Sequence, residues 1–502
     1  MTIVMKAAAT AAVKATLAAG ALAIAFATAA QARPQGTLNY GTVIQLNNWN
    51  PLVKPNQTYT GIVYEGLVRA APDGYTLQPS LATQWKLSAD KLELTLRSGV
   101  VFHDGTPFNA EAVKKNIEWI KASGTQWAVG FAPVSNIEIK DDTHLTLHLS
   151  EPSPTLLQRL ASRGAFMVSP AAIEKKDWST ASGTGPWTYD AAASQLGTKE
   201  VFRLFDRYWN KDNVGVESIV VHVLQDPSVA LNALISGYVQ VTELDPSQFP
   251  AATAQGLKTT GTPVLVQHIL FLDRRNTFAD ENVRKAICSA VDMDAVVKAG
   301  YNGQATAVSQ KMRKGLPGYN PELTGYKHDI EAAKKYMAAA GNPKISFTLP
   351  MFANNHTAVL LMAQQMKQIG IDAKPQLMTT GQYFSFYQTD KYPMQVNSSS
   401  TEDIGPLDYY QFRFSPKGIG NPYRVDVPEL DALAKKALQA ESEQDQNKGW
   451  QAVMKYIQDH ALDCGFHEVF TSWAYDPKKI AHVPTTVLRA SALRYDEVKL
   501  LK

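Results

Sequence analysis

The sequence predicts an α/β protein with mixed sheets, built as several lobes rather than around a single core. Three observations lead there. The chain has 502 residues, more than one hydrophobic core accommodates, so two or three domains are expected. With 45% hydrophobic and 19% charged residues, its composition is that of an ordinary folded protein. Short strands alternate with single helices from about Thr58 to Gly183, and longer helices take over beyond Gly261.

The most strongly specified stretch is Leu92 to Val113. Leucines at 92, 94 and 96 alternate with Glu93, Thr95 and Arg97, the pattern of a strand with one buried face. His103-Asp104-Gly105-Thr106-Pro107 is turn chemistry. Asn109 is placed to cap a helix, with Glu111 in its first turn, Phe108 able to staple onto Val113, and Ala110, Val113, Ile117 and Ile120 along one face.

The other elements follow in order. Thr37 to Gly41 reads as a strand running into a loop that carries Asn47, Asn48 and Trp49. Ile137–Ile139 and His144–Leu149 form a hairpin around Asp141-Asp142. His144 and His148, two apart on the polar face, read as solvent-exposed rather than metal-binding. Strands follow at Val201–Leu204 and Ile219–Leu224, and a helix over Pro227–Ser236. Asp280 caps a core-facing helix to Val291, and Asp329 caps another that stops at Gly341. Ile345–Leu349, a helix to Gly370 and a strand from Ile371 favour a parallel βαβ unit. Helices around Leu430–Ala437 and Trp450–Ile457 precede a return in extended segments from about Ser472.

Lys6 and Lys14 precede an uncharged, Ala-rich run from Leu17 to Ala30, and Ala30-Gln31-Ala32 fits the small-x-small rule, so residues 1–32 are expected to be a cleaved signal peptide. No later run is apolar enough to span a bilayer, so no membrane insertion is expected after its removal. The formal charge of +3 would become +1 without that segment, which argues against a nucleic-acid partner. Cys288 and Cys464 are expected as two separate buried thiols; a bridge would need Cα atoms within about 7 Å, which sequence separation does not decide. No Gly-x-Ser-x-Gly elbow, Walker loop, His/Cys metal spacing or complete dinucleotide fingerprint is present, so no catalytic residues, metal or cofactor are assigned.

Leu96-Arg97-Ser98-Gly99-Val100-Val101-Phe102-His103-Asp104-Gly105-Thr106-Pro107, continued through Ala110-Glu111-Ala112-Val113, resembles the signature region of the family 5 extracellular solute-binding proteins of ABC importers, the group of dipeptide, oligopeptide and nickel carriers. Tyr64-Glu65-Gly66-Leu67, Pro79–Trp85, Gly183-Thr184-Gly185-Pro186-Trp187 and the segment from Asn276 through Arg284 to Asp292 resemble further blocks of that family. The resemblance covers nearly the whole chain beyond the signal. It implies a periplasmic-binding-protein-like fold of type II, the large three-lobed variety with an interdomain ligand cleft. Lobe I would comprise residues 33–57, 184–264 and 474–502, inserted lobe II residues 58–183, and lobe III residues 265–473.

The same resemblance supplies candidate ligand residues. The loop after the first strand opens onto the cleft in the family, which singles out Asn47 and Trp49; a Trp plugging a neighbouring core is the alternative. Met351 to His356 leads from a strand into a helix N-terminus suited to a carboxylate. Dipeptide carriers hold the ligand's C-terminus there with an Arg; this chain has none, and His356 could serve in part or simply begin the helix. In Ser398–Tyr410, peptide carriers have a Trp and then an Asp for the ligand's amine. Here serine replaces the Trp and Glu402 or Asp403 takes the acidic position, with Asp408, Tyr409 and Arg413 following. A retained carboxylate suits an amine-bearing ligand, since a desolvated ammonium must be paired. Tyr383, Phe384 and Tyr387 are wall or helix-core aromatics.

The implied protein is a monomeric, periplasmic carrier, not an enzyme. It would deliver a short peptide or amino-acid-derived amine to ABC permease subunits. The missing Arg and Trp keep a non-peptide solute such as an opine, glycoside or nickel chelate open, and an exported hydrolase or chaperone-like scaffold is the rival from another class.

Overall fold

A computed structural model describes residues 35–501, apart from 54–56, 72–75, 154, 225–226, 246–247, 302–304, 353–354, 379–381, 383–388, 398–404, 419, 441 and 485–492. The expected signal peptide, Glu402, Asp403, Tyr383, Phe384 and Tyr387 lie outside the described residues.

The chain starts in lobe I with β1 (Thr37–Thr42) and enters lobe II through two small strands, β2 (Val68–Ala70) and β3 (Leu77–Pro79). Lobe II is a four-stranded antiparallel sheet in the order β4-β5-β7-β6, made of β4 (Ala82–Leu87), β5 (Lys91–Leu96), β6 (Val134–Ile139) and β7 (His144–Leu149). The alternation anticipated in β5 is present: Leu92, Leu94 and Leu96 are buried with Phe102, Phe108, Val113, Ile117 and Ile120 in one core. Helix α1 (Ala110–Ala122) starts where expected, the Asn109 side chain accepting from the Ala112 amide at 3.0 Å. Asn109→Ala is expected to lower the unfolding free energy of lobe II by about 1 kcal/mol, measured by urea denaturation. His144 and His148 are exposed and lie 2.9 Å from Asp141 and 2.8 Å from Glu138.

The turn after β5 is tied to the block where the chain returns to lobe I. The His103 amide donates to Gly183 O at 2.9 Å, and its Nε2 bonds Gly185 O at 2.9 Å. Burial pushes the imidazole pKa down to about 4, so the ring is neutral and donates from Nε2. Gly183 is required because a Cβ there would lie 2.0 Å from Val63 O; at Gly185 one would lie 2.7 Å from Val63 C. The two sequence blocks are thus one structural joint between lobes.

Glu65 belongs to the same joint. Its carboxylate accepts from Tyr208 Oη at 2.9 Å and Trp209 Nε1 at 3.1 Å. Burial outweighs these donors and raises its pKa from an ordinary 4.5 to about 7. Unfolded, the group ionises near 4.5; folded, near 7. Its contribution therefore favours the fold fully below the lower value and is lost as pH rises through the upper one. Glu65→Gln, able to accept from Trp209 and donate to Tyr208, is expected to stabilise the protein at about pH 8 by up to about 3 kcal/mol and to change little at about pH 4. Thermal unfolding of both proteins across that range checks it, and a parallel pH dependence of the two would refute it.

Lobe I continues with β8 (Trp187–Tyr189), β9 (Lys199–Leu204), β10 (Ser218–Val223) and β11 (Val241–Glu243). Two long strands then leave it, β12 (Lys258–Phe271) and, much later, β17 (Asp463–Tyr475). They pair antiparallel along almost their whole length, from Lys258↔Tyr475 to Leu270↔Asp463. One end of β17 pairs with β11 of lobe I, while β12 pairs at its far end with β16 (Met394–Asn397) of lobe III. The resulting sheet runs β16-β12-β17-β11-β1-β10-β9-β8, with β13 (Ala305–Ala307) also on β17. The domain boundaries expected at 264/265 and 473/474 fall inside these two continuous strands.

Lobe III has two large cores among the described residues. One contains α2 (Glu281–Ala290), capped by Asp280, and α3 (His356–Lys367), which connects β14 (Ile345–Met351) to the parallel strand β15 (Ile371–Leu377) as the βαβ pattern required. The other is helical, with α4 (Pro406–Arg413), α5 (Pro428–Leu438) and α6 (Glu443–Asp459).

The cysteines correct the sequence reading. Cys288 and Cys464 are not separate thiols but a disulfide, with Cα atoms 5.8 Å apart. Cys288 lies on the buried face of α2 and Cys464 at the start of β17, and the two meet in one hydrophobic core although they are 176 residues apart.

Candidate functional site

Helix α4 organises the space between the lobes. Its cap is Gly405, and Pro406 at the first helical position fixes the turn. Asp408, in the first turn, points out of lobe III and is paired by Arg159 of lobe II, with Thr155 Oγ1 at 3.3 Å. Both side chains are largely buried, so this ion pair bridges the lobes in a poorly solvated setting. Arg159 reaches it by crossing Gly130, where a Cβ would come within 2.4 Å of Arg159 Cδ. The pair therefore depends on an absent side chain in a third segment.

The opposite face of α4 turns inward. Tyr409 and Arg413, four residues apart, are both buried. Tyr409 Oη donates to the Asp463 carboxylate of β17 and lies 3.3 Å from His268 Nδ1 of β12. Burial, helped by the charges of Lys311 and Arg413, pushes the His268 pKa well below its usual value, so the ring is neutral. Lys311 Nζ stands 5.8 Å over the Tyr409 ring, and Arg274, its pKa lowered to about 10 by burial, lies 5.3 Å over Phe414. His268 Nε2 and Gln395 Oε1, from paired strands, are buried with no hydrogen-bond partner among the described residues. Buried carboxylates, buried cations and unmatched polar atoms thus converge where α4 meets the β12/β17 ribbon, and among the described residues of this cluster no nucleophile is paired with a base.

The candidates from the sequence divide accordingly. Asp408, Tyr409 and Arg413 are brought together by α4. Trp49 is not with them: it is buried in the lobe I core, 5.0 Å from Tyr189 and 6.1 Å from Phe202, so its indole fills that core rather than a cleft wall. Asn47 is exposed on the loop before it. His356 is the exposed first residue of α3; the neighbouring Asn355 fixes the loop by accepting from the Phe352 amide at 2.8 Å and donating to Val396 O at 2.9 Å. The sequence did not point to Arg159, Thr155, His268, Lys311, Gln395 or Asp463. None carries a local motif; only the pairing of β12 with β17 and the approach of lobe II to α4 assemble them. Among the described residues no group of three or more His, Cys, Asp or Glu could hold a metal, and no helix is long and apolar enough to cross a membrane.

Lobes joined by a two-stranded connection and bridged by a buried ion pair form the fold of a type II periplasmic binding protein. Residues 76–421 match the family model of bacterial extracellular solute-binding proteins, family 5. The chain belongs to that family. It is 25% identical over 452 residues, 86% of either chain, to a probable D,D-dipeptide-binding periplasmic protein of Escherichia coli K12, and 28% identical over 335 residues, 64% of either chain, to a glutathione-binding protein of Salmonella typhi. Its fold is similar to the Brucella suis protein NikA in complex with Fe(III)-EDTA (TM-score 0.82, 21% identity, 93% of this chain and 100% of that one). It is also similar to an Agrobacterium protein bound to agropinic acid (TM-score 0.79, 22% identity, 93% and 99%).

Proposed function

We propose that the chain, freed of an N-terminal leader, works in the periplasm as a monomeric carrier that closes on a short peptide or amino-acid-derived amine and hands it to an ABC permease without altering it. Family membership across residues 76–421 carries this reading. The β12/β17 ribbon, which runs from lobe I to lobe III within one sheet, would act as the hinge, and the Arg159–Asp408 pair would hold the closed form. Buried groups of both signs around α4 favour a ligand with both an amine and an anionic group, with Glu402 or Asp403 as the ammonium partner and Arg413 beside the anion. Asn47 and His356 are further contacts to be tested by substitution.

A non-peptide solute such as an opine is the second reading. It is favoured by the absence of an Arg between Met351 and His356 and by the serines at 398–400 in place of a Trp. Native mass spectrometry of protein purified without refolding, before and after mild unfolding, identifies the guest. An amine-bearing species of a few hundred daltons is expected; a sugar or a metal chelate lacking an amine would overturn the first reading. A thermal-shift screen provides the second measurement, since a true ligand at 100 times its Kd stabilises by about 2.7 kcal/mol.

A further inference from the structure

One face of α2 grips the segment that carries Asp463. Glu281, Arg284 and Cys288 stand at positions i, i+3 and i+7 of that helix, the spacing that sets side chains along one side. The Glu281 carboxylate lies 2.7 Å from His460 Nδ1, and the Arg284 guanidinium donates to His460 O at 2.8 Å and to Ala461 O at 3.1 Å. Cys288 is bonded to Cys464. One side of a helix thus holds the chain on both flanks of Asp463.

That stretch has a backbone break at each end. Ala461, with φ +45°, and Gly465, with φ +63°, are both in the left-handed region, where an alanine persists only if its surroundings impose it. On the Asp463 side of Gly465 the β12/β17 ladder has shifted register, and the pairs Ile269↔Cys464 and Leu270↔Asp463 alone join the end of β17 to β12. Two rungs at a strand end fray readily, so the position of Asp463 depends on the grip of α2. Its carboxylate accepts from Tyr409 Oη and lies 3.4 Å from His268 Nδ1. We infer that this face of α2, and its disulfide above all, positions Asp463 against Tyr409 and His268, so that the bridge governs retention of the guest as well as stability. The part on retention rests on the carrier reading above; the part on positioning does not.

The test uses the full chain. His268 Nδ1 faces the Tyr409 hydroxyl and the Asp463 carboxylate, which only accepts, so a ring protonated on Nδ1 is expected. Ring-nitrogen NMR of histidine-labelled protein reports that tautomer, the His268 lines being identified by their loss in His268→Gln. In Cys288→Ala/Cys464→Ala these lines are expected to move toward a mixture of both tautomers. The guest that co-purifies with the parent, followed by native mass spectrometry after dilution, should leave that variant about tenfold faster, the value of one lost hydrogen bond. Should the variant not fold, dithiothreitol opens the same bond in the parent: the dithiol closes to its own disulfide as each cysteine takes up one electron and one proton, and thiol titration shows when both are free. Asp463→Ala should also speed release, and combining it with the two cysteine substitutions should speed it no further. Asn109→Ala, destabilised in another lobe, should leave both the lines and the release rate unchanged. Unmoved His268 lines once the bridge is open, or effects on release that add, overturn the inference. A parent that carries no amine-bearing guest counts instead against the proposed function, and the His268 lines still decide the positioning.

Discussion

Asp408→Ala is expected to open the molecule. Removing one member of a largely buried ion pair leaves Arg159 desolvated without its carboxylate, which costs about 3 kcal/mol or more here and would cost nothing in an open form that returned the guanidinium to water. That is roughly a hundredfold shift toward the open state. Small-angle scattering should show a larger radius of gyration, and the bound solute should dissociate correspondingly faster. Gly130→Ala should reproduce the effect without touching either charge, because the new methyl group occupies the path of Arg159. The double variant Arg159→Met/Asp408→Leu should recover most of the closure, since replacing a buried pair with apolar residues of similar volume is often neutral. An Asp408→Ala protein with unchanged scattering and unchanged solute release would show that the pair does not hold the lobes together.

The second large effect concerns the Cys288–Cys464 bridge. It closes a loop across a sequence separation of 176 residues, for which the chain-entropy argument gives a ceiling of about 5 kcal/mol. Both cysteines are buried in one core, so serine at either position would add a buried hydroxyl. The informative variant is therefore the double alanine. Its urea midpoint should fall sharply, and dithiothreitol should then have no further effect on it, whereas the parent protein should shift on reduction. If reduction leaves the parent's midpoint where it was, the bridge adds nothing to stability.

What could be read from the residues was local. The Leu92–Leu96 alternation, the Asn109 cap and the β14–α3–β15 unit are each encoded within a few turns of chain, and each is present as expected. The parts that were not legible are non-local. Cys288 and Cys464 gave no sign of pairing because nothing near either one encodes the core they share. Strand β17 is non-local in the same way: it pairs with β11, β12 and β13 within one sheet, and nothing in its 13 residues announces those partners. The candidate site shows the same division. Family resemblance singles out Asp408, Tyr409 and Arg413 in and after one loop, but not that they lie on a helix whose Asp408 faces lobe II while the other two face inward. Trp49, on a loop that the resemblance singles out, is packed in the hydrophobic interior against Tyr189 and Phe202.

Strand β17 also sets an order of events during biosynthesis. It lies between β12 and β11, yet its residues are synthesised about 200 positions after theirs. Until they emerge, both neighbours keep an unpaired edge and the sheet that joins lobe I to lobe III cannot be completed, so the nascent polypeptide cannot mature lobe by lobe. A chain stalled before position 463 would expose long, pairing-competent backbone and need a holdase; a completed chain would gain its hinge and its covalent cross-link from one and the same late segment.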